Sequence, residues 1–488
     1  MTDTGEPLFL SQQLRALEQR HAAAGLMQKA GLALADLAQE LLDDHAGPIL
    51  VIAGSGNNGG DALVAARHLK VRWHQVVVVL AGNPHALPAD AAAAYANWLA
   101  AGGSVQDAIP PQTRYGLVID GLFGIGLQRP LEGELAALVH QVNALSCPVL
   151  AVDIPSGLHA DSGRILGCAV RATHTLTFLG RKPGLYTLDG PDHAGTIHCS
   201  DLGIDHSESE APAGRLLQER ALAALPRRQR NSHKGMFGNV AVLGGDTGMS
   251  GAVLLAARAA LLCGSGRVYG GFVGTPLAVD LQQPELMLRS ADALAALERI
   301  DCAAVGPGLG LSPAAIEVVR HWLARDIPLL LDADALNLLA AQAGLQAAMA
   351  ERRAPTVITP HPLEAARLLG CSVGEVQQDR IASAQRLAQQ FHAVCALKGA
   401  GTVCAAPDDR WWINTSGNPG LASAGTGDVL SGIIASLLAQ GLDAATAATV
   451  GVHLHGAAAD RLVQQGIGPI GLTASELTEA ARHLINQD

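Results

Sequence analysis

Residues 54–59 read GSGNNG and are soon followed by Asp61, so that a glycine loop and a carboxylate stand together. The loop has the spacing GxGxxG and follows an apolar segment, an arrangement that can cradle phosphate on backbone N–H groups where a helix starts. A dinucleotide cofactor would also need an acidic residue about 20 positions further on, to hold a ribose hydroxyl. Residues 75–85 contain no Asp or Glu, which argues against an ordinary NAD cofactor site.

Other polar side chains follow predicted strands in the same half of the chain. Asp120 ends one apolar segment, and Asp153 and Ser156 end the next. Because open α/β sheets bind ligands at the carboxyl ends of their strands, these residues and Asn58 could hold a small cation or a hydroxylated ligand. Each residue taken alone could equally be a helix cap, as Asp61 could be, or a turn former.

A second glycine loop lies near the end of the chain, where Gly425, Thr426 and Gly427 precede Asp428 and an apolar helical pattern. Loop amides and a helix start can stabilise negative charge on a phosphate, and Asp428 can accept the proton of a substrate hydroxyl. This arrangement is kinase-like, although Asp428 could also be a simple helix cap. No GxxxxGK[ST] motif is present, so other loops must hold a phosphate donor.

These residues must be positioned by short apolar segments that alternate with helical patterns, five such segments in the first half and six in the second. The alternation predicts an α/β protein whose parallel sheets are covered on both faces. A helical spacing also covers residues 10–45. Since 488 residues exceed one hydrophobic core, we predict two domains. They are a Rossmann-like, parallel-sheet, three-layer domain at 1–206 and a second α/β domain at 215–488, with a polar linker at 207–214.

Composition and charge exclude several classes of protein. The net charge of −11 argues against nucleic acid or an anionic membrane as a partner, because both require a basic face. The eight cysteines are scattered without zinc-ligand spacing, which is typical of a reducing cytoplasm. The first residues do not read as a signal peptide, and no apolar run approaches the roughly 18–20 residues that span a bilayer. We therefore expect a cytoplasmic protein that acts on small molecules.

The motifs of the first half resemble those of a known family. Residues 54–69, 118–127 and 152–163 are similar to the motifs of the YjeF N-terminal family, the NAD(P)H-hydrate epimerases. The likeness covers most of residues 10–205. One mild departure is Ala62, where the family usually has glycine.

This resemblance implies ligands for the first half. It implies a potassium ion near Asn58, Asp120 and Ser156, and a hydrated nucleotide as substrate in the glycine loop. The substrate contacts that it implies are Asn57, Asn58, Gly59, Gly60, Asp61, Gly124, Ile125, Gly126, Leu127, Gln128, Arg129, Pro130 and Asp153. Asp153 is the candidate for proton transfer, since a carboxylate can be a general base when its surroundings tune its pKa.

The second half resembles the ADP-dependent NAD(P)H-hydrate dehydratases, which have the ribokinase-like fold. The likeness covers about residues 215–485, and six ordered motifs carry it, at 233–268, 305–310, 330–337, 359–369, 397–402 and 418–432. It implies a hydrate site lined by Ala252, Gly308, Gly310, His361 and Asp428, with Asp428 as the base. It implies an ADP site made of Lys398, Gly399, Ala400, Gly401, Thr402 and Gly427. Magnesium is expected without an assigned ligand, and Asp332 and Asp334 either support the site or cap a turn.

Together the two resemblances imply a bifunctional enzyme of nicotinamide nucleotide repair, expected to be a homo-oligomer. The first half would interconvert the R and S epimers of hydrated NADH and NADPH. The second would dehydrate the S epimer with ADP, giving AMP and phosphate. Two alternatives stay open. The second half could be a ribokinase-like kinase for a vitamin alcohol, or the first half could be a nucleotide-binding module without catalysis.

Overall fold

The computed structural model describes residues 5–42, 47–111, 113–205, 211–225 and 228–487, apart from the side chain of Arg220. The chain forms two compact units. One spans Pro7–Ala213, and the other runs from Gly214 to the end of the chain and also includes Glu6. Half of the predicted linker, residues 207–210, lies outside the described residues.

The first unit is built on a parallel sheet. The strands as far as residue 200 are, in chain order, β1 (Glu6–Leu8), β2 (Ile49–Gly54), β3 (Val76–Ala81), β4 (Val105–Gln106), β5 (Leu117–Gly121), β6 (Val149–Val152), β7 (His174–Phe178) and β8 (Thr196–Ser200). Seven of them form the sheet in the order β4-β3-β2-β5-β6-β7-β8, with parallel pairing throughout. The order reverses between β2 and β5, which opens the crevice where such sheets bind ligands.

Helices cover both faces of this sheet. They are α1 (Ser11–Arg20), α2 (Leu26–Leu41), α3 (Asn57–Val71), α4 (Ala89–Ala100), α5 (Gly133–Asn143) and α6 (Gly190–Ala194). The helical spacing predicted over 10–45 corresponds to α1 and α2, which are separated before Gly25, a residue with a left-handed backbone (φ +66°) that caps the start of α2. The last residues of that prediction, 43–45, lie outside the described residues.

The core of the first unit has two sides, one on each face of the sheet. Val51 and Ile119 pack with Leu63 of α3 on one face, whereas Leu50 packs with Val139 of α5 on the other. Strands β2, β5 and β6 are buried along their whole length. The three-layer parallel-sheet architecture predicted for this half is therefore confirmed.

The second unit contains a larger, mixed sheet. Its strands are β9 (Gly214–Leu217), β10 (Asn239–Gly244), β11 (Arg267–Phe272), β12 (Met287–Ser290), β13 (Cys302–Val305), β14 (Leu329–Leu331), β15 (Thr356–Ile358), β16 (Val394–Leu397), β17 (Val403–Ala405) and β18 (Trp411–Asn414). The order is β1-β9-β18-β17-β16-β15-β14-β13-β10-β11-β12. Strands β10 to β16 pair in parallel, while β17 pairs antiparallel with β16 and β18. Here the order reverses between β13 and β10.

The helices of the second unit are α7 (Ser250–Leu262), α8 (Ala291–Ala295), α9 (Pro313–Leu323), α10 (Asp334–Ala341), α11 (Ala343–Glu351), α12 (Pro362–Leu369), α13 (Val373–Gln378), α14 (Arg380–Phe391), α15 (Thr426–Ala439), α16 (Ala444–Gln464) and α17 (Ala474–Ile485). Helix α15 packs tightly on α7, since a Cβ at Gly432 would lie 2.0 Å from the Ala256 carbonyl oxygen. Small residues allow this close approach, which fits an alanine- and glycine-rich sequence. The first turn of α15 carries Asp428.

Candidate functional site

The glycine loop of the first unit is shorter than the sequence pattern indicates, because α3 already starts at Asn57. A Cβ at Gly59 would lie 2.0 Å from the carbonyl oxygen of Gly54, so this pair lets the helix pack against the end of β2. A Cβ at Gly56, by contrast, would meet no atom within 4 Å. The middle glycine therefore leaves the backbone open to a ligand, while the outer two serve packing.

The predicted contact residue Gly60 also has a packing role. A Cβ on it would meet the flexible end of the Met27 side chain at 2.6 Å and the Cα of Ala91 at 3.1 Å, so glycine allows a close approach of α3 to α2 and α4. Asn57 is exposed at the start of α3, and Asp61 lies one turn further along the helix. Backbone N–H groups at this end of α3 are placed as an anion site requires.

Asp120 and Ser156 lie together at the ends of β5 and β6, as the sequence predicts. Ser156 donates from its hydroxyl to Asp120 Oδ1 (2.7 Å) and from its backbone N–H to Asp120 Oδ2 (2.9 Å). The Ser156 hydroxyl also accepts from the N–H of Phe123 (2.8 Å). Burial raises the pKa of Asp120, and the hydrogen bonds from Ser156 oppose that rise.

Asn58 brings an amide to the same edge of the sheet. Its Nδ2 is buried and has no hydrogen-bond partner among the described residues. A Cβ at Gly124 would lie 2.8 Å from Asn58 Oδ1, so the amide sits against the predicted substrate loop. The oxygen and nitrogen of an amide are assigned from their hydrogen-bond partners, so the position without a partner can equally hold the amide oxygen. An amide oxygen at the sheet edge that carries the Ser156 hydroxyl and the Asp120 carboxylate suits a cation with oxygen ligands. The described residues contain no group of three or more His, Cys, Asp or Glu able to hold a metal.

Asp153 has an unusual backbone conformation, and its side chain bonds to a buried lysine. Its φ is +66°, in the left-handed region that few residues other than glycine adopt. Its Oδ1 accepts hydrogen bonds from Lys182 Nζ, the N–H of Phe178 (3.0 Å) and the hydroxyl of Thr177 (3.3 Å). Lys182 is 1% exposed. Lys182 was not predicted, and its signal in the sequence is a lysine that follows the predicted strand segment at 173–180.

The charge of Asp153 helps to raise the pKa of two further carboxyl groups. Burial, and then the charges of Asp153 and Glu18, hold the pKa of Asp61 well above its usual range. Partial burial and Asp153 also raise the pKa of Glu18, which lies on α1 and was not predicted. Asp61 is therefore protonated under conditions in which an ordinary aspartate is ionised.

The predicted loop 124–130 presents exposed and buried residues. Gln128, Arg129 and Pro130 are exposed, whereas the Leu127 side chain belongs to the hydrophobic core. Arg15 of α1 donates to the backbone carbonyl of Ile125 at 3.2 Å, which ties α1 to this loop. Any contact of Leu127 with a ligand would have to come from its backbone.

The second unit gathers charged residues at the carboxyl ends of its central strands. Lys398, after β16, lies with Nζ 2.7 Å from Asp332 Oδ1, after β14. The other oxygen of Asp332 accepts from the hydroxyl of Ser431 on α15 at 2.7 Å. A Cβ on Gly427 would lie 3.5 Å from Lys398 Nζ, so the predicted nucleotide residues Lys398 and Gly427 are neighbours. Asp332 thus supports the site, and Ser431 was missed.

Asp428 is an unusually basic carboxylate in this cluster. Its pKa is raised to about 7, mainly by burial and also by the charges of Asp332 and Asp334, while Lys398 opposes the rise. A carboxylate with a pKa close to neutrality is suited to general base catalysis. Burial alone would lower the pKa of Lys398, but Asp332, Glu364 and Asp428 raise it overall, so the ammonium stays charged.

His361 caps α12 and is paired with a buried glutamate. Its Nδ1 accepts from the backbone N–H groups of Leu363 (3.1 Å) and Glu364 (3.4 Å). Glu364 in turn accepts from the backbone N–H of His361 at 2.7 Å, and its Oε1 lies 3.3 Å from His361 Nε2. Both ring nitrogens are therefore engaged, so His361 can contact a substrate but is not free to act as a base. Burial raises the pKa of Glu364 to about 7.

The other predicted hydrate-site residues meet between β10 and β13. A Cβ at Gly308 would come within 3.2 Å of the Ala252 side chain, and one at Gly310 within 2.5 Å of Asp246 Oδ2. The N–H of Gly310 donates to Asp334 Oδ2 at 2.9 Å. Asp334 therefore holds this loop, while the charge of Asp334 also acts on Asp428. Ala252, Gly308 and Gly310 therefore lie close to the switch point between β10 and β13.

The predicted ADP loop follows directly. Gly399 has φ +143°, which favours glycine, and the hydroxyl of Thr402 donates to its carbonyl at 3.1 Å. Gly399 and Ala400 are exposed, and Gly401 and Thr402 are partly buried. The loop therefore presents backbone at the surface beside Lys398.

Comparison with known families covers both units. The family described as YjeF-related protein N-terminus matches residues 23–184, and the family described as NAD(P)H-hydrate dehydratase matches residues 240–482. The chain is 40% identical to the bifunctional NAD(P)H-hydrate repair enzyme Nnr of Escherichia coli, covering 95% of this chain and 90% of that protein. It is 39% identical to the enzyme of the same name in Coxiella burnetii, covering 98% and 99%.

The chain belongs to the bifunctional NAD(P)H-hydrate repair enzyme family. A solved relative extends this to structure: an ADP/ATP-dependent NAD(P)H-hydrate dehydratase from Bacillus subtilis, co-crystallised with ATP and Mg²⁺, is 34% identical with a TM-score of 0.50. The match covers 55% of this chain and 96% of the Bacillus subtilis chain. The ribokinase-like fold predicted for the second half is thereby confirmed. The relatives are repair enzymes, which does not favour the kinase alternative. Among the described residues, no helix is long and apolar enough to cross a bilayer.

Proposed function

We propose that this protein restores NADH and NADPH from their hydrates. The first unit interconverts the R and S epimers, and the second dehydrates the S epimer with ADP, releasing AMP and phosphate. The observation that supports this most directly is the cluster of Asp428, Lys398 and Asp332 at the carboxyl ends of the central strands of a ribokinase-like sheet. The predicted ranges 1–206 and 215–488 are proposed as the epimerase and dehydratase domains.

The dehydration starts with phosphoryl transfer. Asp428 takes the proton of the substrate hydroxyl, whose oxygen attacks the terminal phosphorus of ADP, and AMP leaves. Lys398 and the amides at the start of α15 offset the negative charge that builds up on the phosphoryl group. Magnesium, when bound with the nucleotide, would neutralise part of the charge on the phosphates.

Elimination completes this reaction. The electron pair of the ring nitrogen expels phosphate from the neighbouring carbon, and the next ring carbon then loses a proton to restore the double bond. Asp428 is the candidate for this second proton as well, after its first proton has passed to solvent. The engaged nitrogens of His361 leave Asp428 as the better placed base.

The epimerase chemistry needs an acid and a base. Asp153 accepts hydrogen bonds from Lys182 and two other donors, which suits a carboxylate base that takes the hydroxyl proton. Asp61 has a raised pKa and suits the acid that protonates the ring nitrogen as the carbon–nitrogen bond opens. Reclosure on the other face of the freed carbonyl returns both protons.

A potassium ion is part of the proposal for the first unit. Asn58, Asp120 and Ser156 would hold it, since the orphaned amide, the carboxylate and the hydroxyl offer oxygen ligands at one sheet edge. When bound, the ion would supply positive charge to the substrate site. A cytoplasmic location and a homo-oligomeric state also remain proposals.

The decisive experiment combines purified full-length protein, NADH hydrate and ADP. We expect NADH absorbance to return, with one AMP and one phosphate formed for each NADH. Recovery of the R epimer as well as the S epimer would support the epimerase. A stable phosphorylated product without NADH would reject dehydration in favour of a kinase, and recovery of the S epimer alone would reject the epimerase in favour of a binding module.

A further inference from the structure

A buried arginine lies behind the proposed ADP loop, Lys398–Thr402. Arg380 is the first residue of α14 and is 1% exposed. Its guanidinium donates to the backbone carbonyls of Leu397 (3.1 Å) and Lys398 (3.2 Å), and to Gln377 Oε1 (2.8 Å). The side chain therefore grips the strand end from which the loop departs.

The same guanidinium fills the space under Gly399. A Cβ at Gly399 would lie 2.8 Å from one guanidinium nitrogen of Arg380 and 2.9 Å from another. With φ at +143°, the position disfavours other residues for a second reason. Arginine and glycine are thus fitted to each other at the first peptide of the loop.

This contact sets the direction of one peptide. In a planar trans peptide, the C=O of one residue and the N–H of the next point to opposite sides. Since the Lys398 carbonyl points towards Arg380, the N–H of Gly399 points away from it, to the other side of the loop. Outward amides in such a loop form a concave site for anions.

The arginine also keeps its charge in this position. Burial lowers the pKa of Arg380 to about 10, which is still well above neutral pH. A positive charge behind an outward N–H adds to the attraction of the loop for a phosphate group.

We propose that Arg380 is a positioning residue for the adenine nucleotide, which fixes the Lys398–Gly399 peptide from behind so that its N–H faces the nucleotide phosphates. This inference rests on the proposed ADP-dependent dehydration. Arg380 is covered by the loop and does not reach the reacting atoms. Its effect therefore falls on the affinity for ADP and not on the rate of the chemical step.

The test compares R380K and R380M with a matched control. Lysine keeps the charge but lacks the planar guanidinium, which donates to both carbonyls through one nitrogen and to Gln377 through another, and methionine lacks both the charge and the donors. The control is R352K, because Arg352 also donates to backbone carbonyls, those of Leu323 (2.9 Å), Arg325 (2.7 Å) and Ile327, at the amino ends of β14 and β15. That edge of the sheet is opposite to the site.

We expect R380K to raise the KM for ADP about tenfold and R380M to raise it more, with kcat within about twofold of the wild-type value. The KM for the hydrate should stay constant, and R352K should leave the KM for ADP unchanged. An unchanged KM for ADP in R380K, or an equal rise in R352K, would overturn the inference. If R380M does not fold, R380K decides alone, with the ADP-dependent rise in its melting temperature as second readout. A wild-type protein that does not use ADP would instead reject the proposed function.

Discussion

Lys398 and Asp332 form an ion pair of 2.7 Å that joins the ends of β16 and β14, while 66 residues separate them in the chain. The pair stands beside Asp428, whose pKa it shifts in both directions, upwards through Asp332 and downwards through Lys398. A phosphate-binding cation and a proton acceptor are thus coupled in one cluster. This coupling leads to the predictions for the second unit.

Replacing Asp428 by Asn should remove the base and leave the shape of the site. We expect the rate of dehydration to fall about 10²–10⁴-fold, the usual contribution of a general base. Epimer exchange should continue at the wild-type rate, since Asp153 and Asp61 lie in the other unit. Recovery of NADH absorbance measures the rate of dehydration, and separation of the two epimers measures the rate of epimer exchange. Equal loss of both activities would contradict the assignment.

Dehydration should depend on pH through the same carboxyl group. Because the pKa of Asp428 is raised to about 7, the base becomes protonated as pH falls through that value, and kcat/KM should decline below it. Asp334→Asn removes one charge that raises this pKa but keeps an oxygen for the N–H of Gly310. The acidic limb of the D334N profile should therefore move to lower pH, and a limb that moves to higher pH would disprove the coupling.

The support of Asp332 by Ser431 is testable with a matched serine. Ser431→Ala leaves one oxygen of buried Asp332 without its donor, at a cost of about 1–3 kcal/mol, and should lower the rate of dehydration about tenfold. Ser436 lies on the same helix, is also buried and bonds to Ser265 at 2.8 Å. S436A should lower the melting temperature without a specific loss of rate. Similar kinetic losses in the two variants would show that Ser431 has only a packing role.

Lys182 should matter for epimer exchange alone. Lys182→Met leaves Asp153 buried without its cation, which should reduce the free energy of unfolding by roughly 3–5 kcal/mol and abolish exchange. Asp153→Asn should abolish exchange with a smaller loss of stability. Lys29→Met is the control, because Lys29 donates to the carbonyl of Leu202 in the same unit. Wild-type exchange in K182M would rule out the proposed role of the pair.

The potassium proposal predicts a cation dependence of one activity only. Exchanging K⁺ for a large organic cation in the buffer should slow epimer exchange and leave dehydration of the S epimer unchanged. Ser156→Ala should weaken the response to K⁺, since the hydroxyl that bonds to Asp120 and Phe123 is removed. The readout is the rate of exchange as a function of K⁺ concentration at constant ionic strength. Exchange rates that do not depend on the cation would exclude the site.

Several features could be read from the sequence because they depend on neighbouring residues. Apolar segments located the central strands, and the polar residue after each strand, such as Asp120 or Asp332, had to lie at a carboxyl edge. The start of α3 was harder to predict from the sequence. The pattern around 57–60 reads as a loop, whereas the helix already includes these residues, since Gly59 packs on Gly54.

The sequence by itself determined the α/β class, the succession of two units and the strand ends where chemistry can occur, because hydrophobic periodicity and turn residues act over short distances. Only the tertiary structure decided which side chains share those ends. Lys182 meets Asp153, Ser431 meets Asp332, and Arg380 reaches under the Lys398 loop through contacts that span 18 to 99 residues. Such partners are chosen by the order of strands in the sheet and by burial, which bring together charges that no local pattern connects.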